Sequence, residues 1–133
     1  MRNYLSVFII IIGTLLVLYL SWVSSPKIGG NPLVPNWIAM WVDAYYFDAI
    51  RTAVPMIFLG GMSGLLIVFN NLNMKWWWLA WGLLSLLVCI AEIGQFLRPL
   101  RSFDSMDILW GSVGSALGLL MVYVIRELTT LKK

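Results

Sequence analysis

Histidine is absent from this chain of 133 residues, and cysteine occurs once, as Cys89. The lack of histidine excludes histidine-based acid–base catalysis and histidine metal ligands. A single cysteine forms neither an internal disulfide nor a cluster of thiolate ligands, so we predict no metal site and no cofactor. Charged residues are also scarce, at 11% of the chain against about 25% in soluble domains.

Apolar side chains take the place of the missing charges. Hydrophobic residues make up 61% of the chain, and the mean hydropathy is +0.88. This composition excludes a soluble globular domain, a disordered chain and a disulfide-rich secreted scaffold, and it predicts an integral membrane protein. The net charge of +3 is scattered between apolar blocks, which gives no basis for nucleic-acid binding.

Long stretches without charge predict how often the chain crosses the membrane. They occupy positions 3–26, 52–74, 76–91 and 108–125. About 20 apolar residues span the hydrocarbon, and a spanning segment is helical because it must satisfy its own backbone hydrogen bonds. We therefore predict an all-α fold with a single membrane domain over residues 1–133. It is a four-helix bundle with spans near 4–23, 52–69, 76–97 and 107–126.

The first outer loop, roughly residues 24–51, is longer than the other connections. We predict that Asn36 caps a short helix beginning at Trp37, whose face at helical spacing also holds Trp41 and Tyr45. Such a helix suits the membrane surface, and a lid over a site is the alternative. Trp22 and the three tryptophans at 76–78 are expected to anchor span ends at the interface.

Basic residues predict the orientation. One side of the bundle carries Arg2, Lys75, Arg126, Lys132 and Lys133, and the other carries Lys27, Arg51, Arg98 and Arg101. The side with more basic residues normally faces the cytoplasm. We therefore predict cytoplasmic N and C termini.

Two pairs of glycines have the spacing of close helix packing. They are Gly60 with Gly64 and Gly114 with Gly118. Small residues let helix backbones approach closely in lipid. We expect these glycines to pack helices within the chain, while a homo-oligomer or a second membrane protein remains an alternative partner for them.

One polar stretch, from Glu92 to Asp107, contains the candidate functional residues. Glu92 lies inside an apolar span, where a carboxylate costs about 2–3 kcal/mol and so normally pairs with another group or faces a cavity. Gln95 follows three residues later on the same helix face. Asp107 stands at the predicted start of the fourth span, where it favours the helix dipole and can cap free N–H groups. Between them lie Arg98, Arg101 and Asp104.

Three interpretations of this stretch stay open. It can be a structural clasp, in which Glu92 pairs with an arginine and fixes the turn between two helices. It can bind an anionic head group, because arginine forks suit phosphates and carboxylates. It can also be an enzymatic site, in which two carboxylates near two arginines act on a lipid-linked phosphate or glycan.

The order of these residues resembles the core of VanZ-like membrane proteins. The resemblance rests on Glu92-x-x-Gln95, then Arg101, Asp104 and Asp107, then Gly114-x-x-x-Gly118. The chain is a divergent example of the pattern. It has Gly111 where family members commonly carry an asparagine, and it lacks the Asp-Lys-x-x-His stretch that many of them have before the second helix.

The resemblance implies a bacterial inner-membrane protein of cell-envelope biology. The name-giving family member is associated with low-level resistance to the glycopeptide teicoplanin. Carried over to this chain, the matched residues predict an outward-facing polar pocket that binds a membrane lipid or a lipid-linked envelope precursor. Alternatives are an enzyme acting on lipid-linked phosphates or glycans, and a non-catalytic partner subunit of an envelope complex.

Overall fold

The structure, a computed structural model, describes residues 2–22, 32, 35–44, 48–97 and 104–130, with side chains from residue 4 onward except at 41–44 and 48–51. The described chain forms five helices: α1 (Arg2–Trp22), α2 (Asn36–Ala44), α3 (Asp48–Phe69), α4 (Met74–Phe96) and α5 (Ser105–Thr130). No strand occurs in these ranges. The predicted all-α class is confirmed.

Four of the helices are long and apolar enough to cross a membrane, as the charge-free stretches predicted. Their candidate spans are Tyr4–Trp22, Thr52–Phe69, Met74–Phe96 and Ser105–Thr130. The largest difference from the prediction concerns the last span, which begins two residues earlier and continues past Arg126. Helix α3 also begins before its span, at Asp48, and contains Pro55.

The contacts between helices fix their directions. Trp22 at the end of α1 reaches Ala91 near the end of α4, so these two helices run the same way. Helices α3 and α5 run together in the opposite direction. The bundle thus has a Glu92 end, where α1 and α4 finish and α3 and α5 begin, and a Lys75 end, where the reverse holds.

Helices α3 and α5 share the most extensive interface of the bundle. A Cβ at Gly114 would lie 2.6 Å from the Ala53 carbonyl oxygen, and a Cβ at Gly60 or Gly118 would overlap a carbonyl oxygen of the facing helix. Gly64 faces Val122. All four glycines singled out from the sequence therefore lie at contacts within the chain, and at Gly60, Gly114 and Gly118 only the absence of a side chain lets the backbones meet.

Apolar side chains fill the space left by this close pair at both ends. Toward the Glu92 end, the core consists of Met56, Leu59, Leu84, Leu87 and Val88. Toward the Lys75 end, it consists of Ile67, Trp77 and Leu119. Packing of this kind is what stabilises a helical membrane protein, because lipid chains remove the hydrophobic gain of helix association.

Trp77 departs from the role expected of an interfacial anchor. Its neighbours Trp76 and Trp78 are exposed, but Trp77 is buried. Its ring meets that of Tyr123 edge to face, with 5.4 Å between centroids. The reason is helical geometry: three consecutive side chains point about 100° apart, so they cannot share one face.

The connection from α3 to α4 is a tight turn. Asn71 has a φ of 50°, and its N–H bonds to the Val68 carbonyl while the Leu72 N–H bonds to the Ile67 carbonyl. This is the Schellman arrangement, in which asparagine replaces the usual glycine. Asn73 then caps α4, since its side chain accepts from the Lys75 N–H at 3.2 Å.

The short helix α2 begins one residue earlier than predicted. The Pro35 carbonyl, rather than the Asn36 side chain, receives the first N–H groups, with distances of 3.0 Å to Ile38 and 3.1 Å to Ala39. Proline precedes the helix without loss, because no N–H is needed there. Trp37 is exposed and Ala39 is buried. Tyr45, the last residue of the predicted aromatic face, lies outside the described residues.

Candidate functional site at the end of helix α4

Glu92 is buried although it carries an ionisable side chain inside a helix that is long and apolar enough to cross a membrane. It is 1% exposed, and it lies about one turn before α4 ends at Phe96. Val88, one turn earlier, belongs to the apolar core of this end. The carboxyl group is therefore located where the apolar core gives way to the connection between α4 and α5.

The Glu92 carboxylate accepts hydrogen bonds from a side chain and from a backbone N–H. Its Oε2 accepts from the Gln95 side-chain Nε2 at 3.1 Å, as their shared helix face predicted. Its Oε1 accepts from the backbone N–H of Asp104 at 2.6 Å. Each oxygen thus has a donor, one from α4 and one from the residue before α5. Such pairing is what permits a polar group to be buried.

Asp104 takes the capping role that the sequence assigned to Asp107. Helix α5 begins at Ser105, so Asp104 is the residue immediately before it. The Asp104 Oδ1 accepts from the Met106 N–H at 2.8 Å, and its carbonyl accepts from the Asp107 N–H at 3.1 Å. Asp107 lies in the first turn, where its charge favours the helix dipole. The prediction placed the helix start two residues too late and therefore missed the cap at Asp104.

The two arginines of the predicted pocket, Arg98 and Arg101, lie outside the described residues. The sequence places both between Glu92 and Asp104. The hydrogen bond from the Asp104 N–H to Glu92 therefore closes a loop of chain that carries both guanidinium groups.

Trp22 is a contributor that the sequence did not reveal. Its Nε1 donates to the Ala91 carbonyl at 3.2 Å, on the residue that precedes Glu92. The sequence suggested an interfacial anchor facing lipid. Only the spatial proximity of α1 and α4 shows that the indole N–H faces the protein.

The polar groups around Glu92 are suited to hydrogen bonding rather than to binding a metal ion. Within the described ranges, no group of three or more acidic or sulfur side chains is arranged to hold a metal ion. A carboxylate with an amide beside it can orient a guanidinium group or a ligand donor, because carboxylate oxygens accept strong charge-assisted bonds.

Comparison of the chain with protein-family models, with curated proteins and with solved structures gives no match. The resemblance to VanZ-like proteins accordingly stays a prediction.

Proposed function

We propose that this chain is a divergent VanZ-like protein of the bacterial inner membrane. In this proposal, the Glu92 end of the bundle faces outward and binds an anionic head group, either of a membrane lipid or of a lipid-linked envelope precursor. The observation that carries the proposal is the buried carboxylate of Glu92 in a membrane span, held by Gln95 and by the Asp104 N–H.

The carboxylate of Glu92 is energetically unfavourable inside a membrane span. An acid inside a span is unfavourable by about 2–3 kcal/mol, so such residues are mostly found where they pair with a cation or line a pathway. A neutral cap can stabilise a turn between two helices without the free-energy cost of burying a charge. Asn73 is such a cap between α3 and α4. The acid at position 92 therefore favours a role beyond closing the turn.

The segment between Glu92 and Asp104 contains two arginines, whose side chains suit anionic ligands. A guanidinium group has five N–H donors in a fixed fork. If Glu92 holds one edge of the Arg101 guanidinium from within the protein, the other donors remain for a phosphate or carboxylate outside. In this arrangement Glu92 and Gln95 form the floor of the pocket, and Arg101 and Arg98 contact the ligand. Asp104 fixes the loop by capping α5.

The predicted orientation places the Glu92 end of the bundle at the outer surface of the membrane. The excess of basic residues at the Lys75 end supports cytoplasmic termini. The loop after α4 then lies at head-group depth on the outer surface, where glycopeptides and envelope precursors meet. Exposed Trp37 and Met40 on α2 support an interfacial position for that helix beside the same surface.

Native mass spectrometry of the purified full chain tests the proposal. The probes are phosphatidylglycerol and a polyprenyl phosphate, with zwitterionic phosphatidylcholine as the neutral comparison. We expect the wild type to bind at least one anionic probe more tightly than phosphatidylcholine. Preference between the two anionic probes assigns the source of the head group.

The variants Arg101→Ala and Glu92→Gln should weaken that binding about tenfold, because each removes one partner of a charge-assisted contact. Lys75→Ala removes one cation from the opposite end of the bundle and should leave binding unchanged. If folded Arg101→Ala binds like the wild type, the cluster is a clasp between helices and the proposal fails.

A further inference from the structure

Trp22 lies directly on the turn of α4 that carries the site. Its Nε1 donates to the Ala91 carbonyl at 3.2 Å. A Cβ at position 94 would lie 2.5 Å from Trp22 Cε2 and closer still to Nε1. The five-membered edge of the indole therefore occupies the space that the missing side chain of Gly94 leaves open.

These contacts bracket the two polar residues of the turn. Ala91 precedes Glu92, and Gly94 precedes Gln95. Successive helical side chains are about 100° apart, so positions 92 and 94 lie on opposite flanks of α4. Trp22 holds one flank through Gly94, and the Asp104 N–H holds the other through Glu92.

Helix α1 is otherwise peripheral. Only 6% of its apolar stretch is buried, against 28–33% for the other three spans. An indole N–H on a carbonyl oxygen is a directional contact, whereas the apolar contacts of α1 are not. The Trp22 contact therefore ties the end of α1 directly to the turn at 91–95.

We propose that Trp22 is a positioning residue of the Glu92 site. It fixes the rotation of the turn at 91–95 and thereby the direction in which the Glu92 carboxylate and the Gln95 amide point. The position of the Trp22 ring requires glycine at position 94, because any side chain there displaces the indole. The binding part of this inference rests on the proposed function, while the positioning part does not.

The chain offers a matched control for each change. Trp22→Phe removes the N–H and keeps an aromatic ring. Trp81→Phe removes the same kind of bond, from Nε1 to the Ser112 carbonyl at 3.1 Å, elsewhere on α4. Gly94→Ala introduces the clash, whereas Gly82→Ala on the same helix meets nothing within 4 Å.

The first measurement is amide hydrogen exchange of the full chain in phosphatidylcholine nanodiscs, and NMR is used to monitor it. The Asp104 N–H reports on Glu92, because it exchanges faster once the carboxylate turns away. We expect faster exchange at Asp104 in Trp22→Phe and Gly94→Ala but not in the two controls. Gly94→Ala should add no further change in a Trp22→Ala background. Equal exchange in all variants overturns the positioning role.

The second measurement is binding of the anionic probe, phosphatidylglycerol or the polyprenyl phosphate, that the wild type prefers. Trp22→Phe should weaken it about fivefold, which corresponds to one hydrogen bond of ordinary net strength, with Trp81→Phe unchanged. Unchanged binding by Trp22→Phe beside a binding wild type overturns the binding part of the inference and leaves the proposed function intact. A wild type that binds neither probe overturns the proposed function, and the Asp104 exchange then decides the role of Trp22 alone.

Discussion

The carboxylate of Glu92 accepts a 2.6 Å hydrogen bond from the backbone N–H of Asp104, twelve residues further along the chain. One bond thus joins the end of α4 to the start of α5 and closes the segment that holds both arginines. A second bond, from Gln95 at 3.1 Å, prevents the carboxylate from rotating freely.

Removal of this acceptor should destabilise the bundle. Glu92→Ala removes the oxygen that accepts from the buried Gln95 amide, at a cost of about 1–3 kcal/mol, and it also removes the acceptor of the part-buried Asp104 N–H. Thermal unfolding in detergent measures the loss. Glu127→Ala removes an exposed glutamate at the other end of α5 and should change little. Equal midpoints for the two variants would contradict the described role of Glu92.

Close packing of α3 on α5 predicts a strict size limit at Gly118. A Cβ there would overlap the Ile57 carbonyl and lie 2.7 Å from the Gly61 nitrogen. Backbone atoms cannot move aside cheaply, so Gly118→Ala should lower the free energy of unfolding by about 1–3 kcal/mol. Gly82→Ala, with open space around it, is the control for helix propensity. A stable Gly118→Ala protein would show that the two backbones lie further apart.

The turn at Asn71 predicts a preference for glycine over alanine. Asn71 has a φ of 50°, a conformation that costs a residue with a Cβ about 1–2 kcal/mol. Glycine carries no such penalty. Asn71→Gly should therefore unfold at or above the wild-type temperature and Asn71→Ala below it, as followed by circular dichroism. The reverse order would rule out the left-handed conformation.

The proposed orientation is tested by cysteine labelling in intact cells, in a Cys89→Ala background. A membrane-impermeant maleimide should label Ser105→Cys from outside, because that residue begins α5 at the Glu92 end. Lys75→Cys should be labelled only after the membrane is permeabilised. The opposite pattern would place the site at the cytoplasmic surface and remove the location argument for the proposed function.

The resemblance to VanZ-like proteins predicts an effect on teicoplanin susceptibility. Expression of the wild type in a sensitive host should raise the inhibitory concentration, and Arg101→Ala at matched membrane levels should not. Lys75→Ala serves as the control for loss of one cation. No protection by the wild type would separate this chain from the activity associated with the name-giving family member.

The sequence was most informative where the physics is local. Absence of charge over a membrane thickness is enough to locate a span, and helical spacing is enough to place Gln95 beside Glu92. The sequence did not predict which distant segments of the chain contact each other. Nothing near Trp22 in the chain indicates Ala91 or Gly94 as partners, and the glycine spacing does not say which helix each glycine meets.

The cap at Asp104 was missed for a different reason. Both residues suit the start of a helix, since a carboxylate helps as a cap and also within the first turn. Only the described hydrogen bonds distinguish the two positions. Trp77 is a similar case. Its position among three consecutive tryptophans predicted an interfacial anchor, but its side chain is buried in the core.

The tightest interface, between α3 and α5, joins two spans that another span separates in the chain. During synthesis the glycine face of α3 therefore enters the bilayer well before its counterpart exists. Until α5 is in place, Gly60 lacks the Ser115 backbone and Gly64 lacks the Val122 side chain that they contact in the folded bundle. Insertion of α5 thus completes the α3–α5 interface, and a chain halted before it should be recognised by membrane quality control as unfinished.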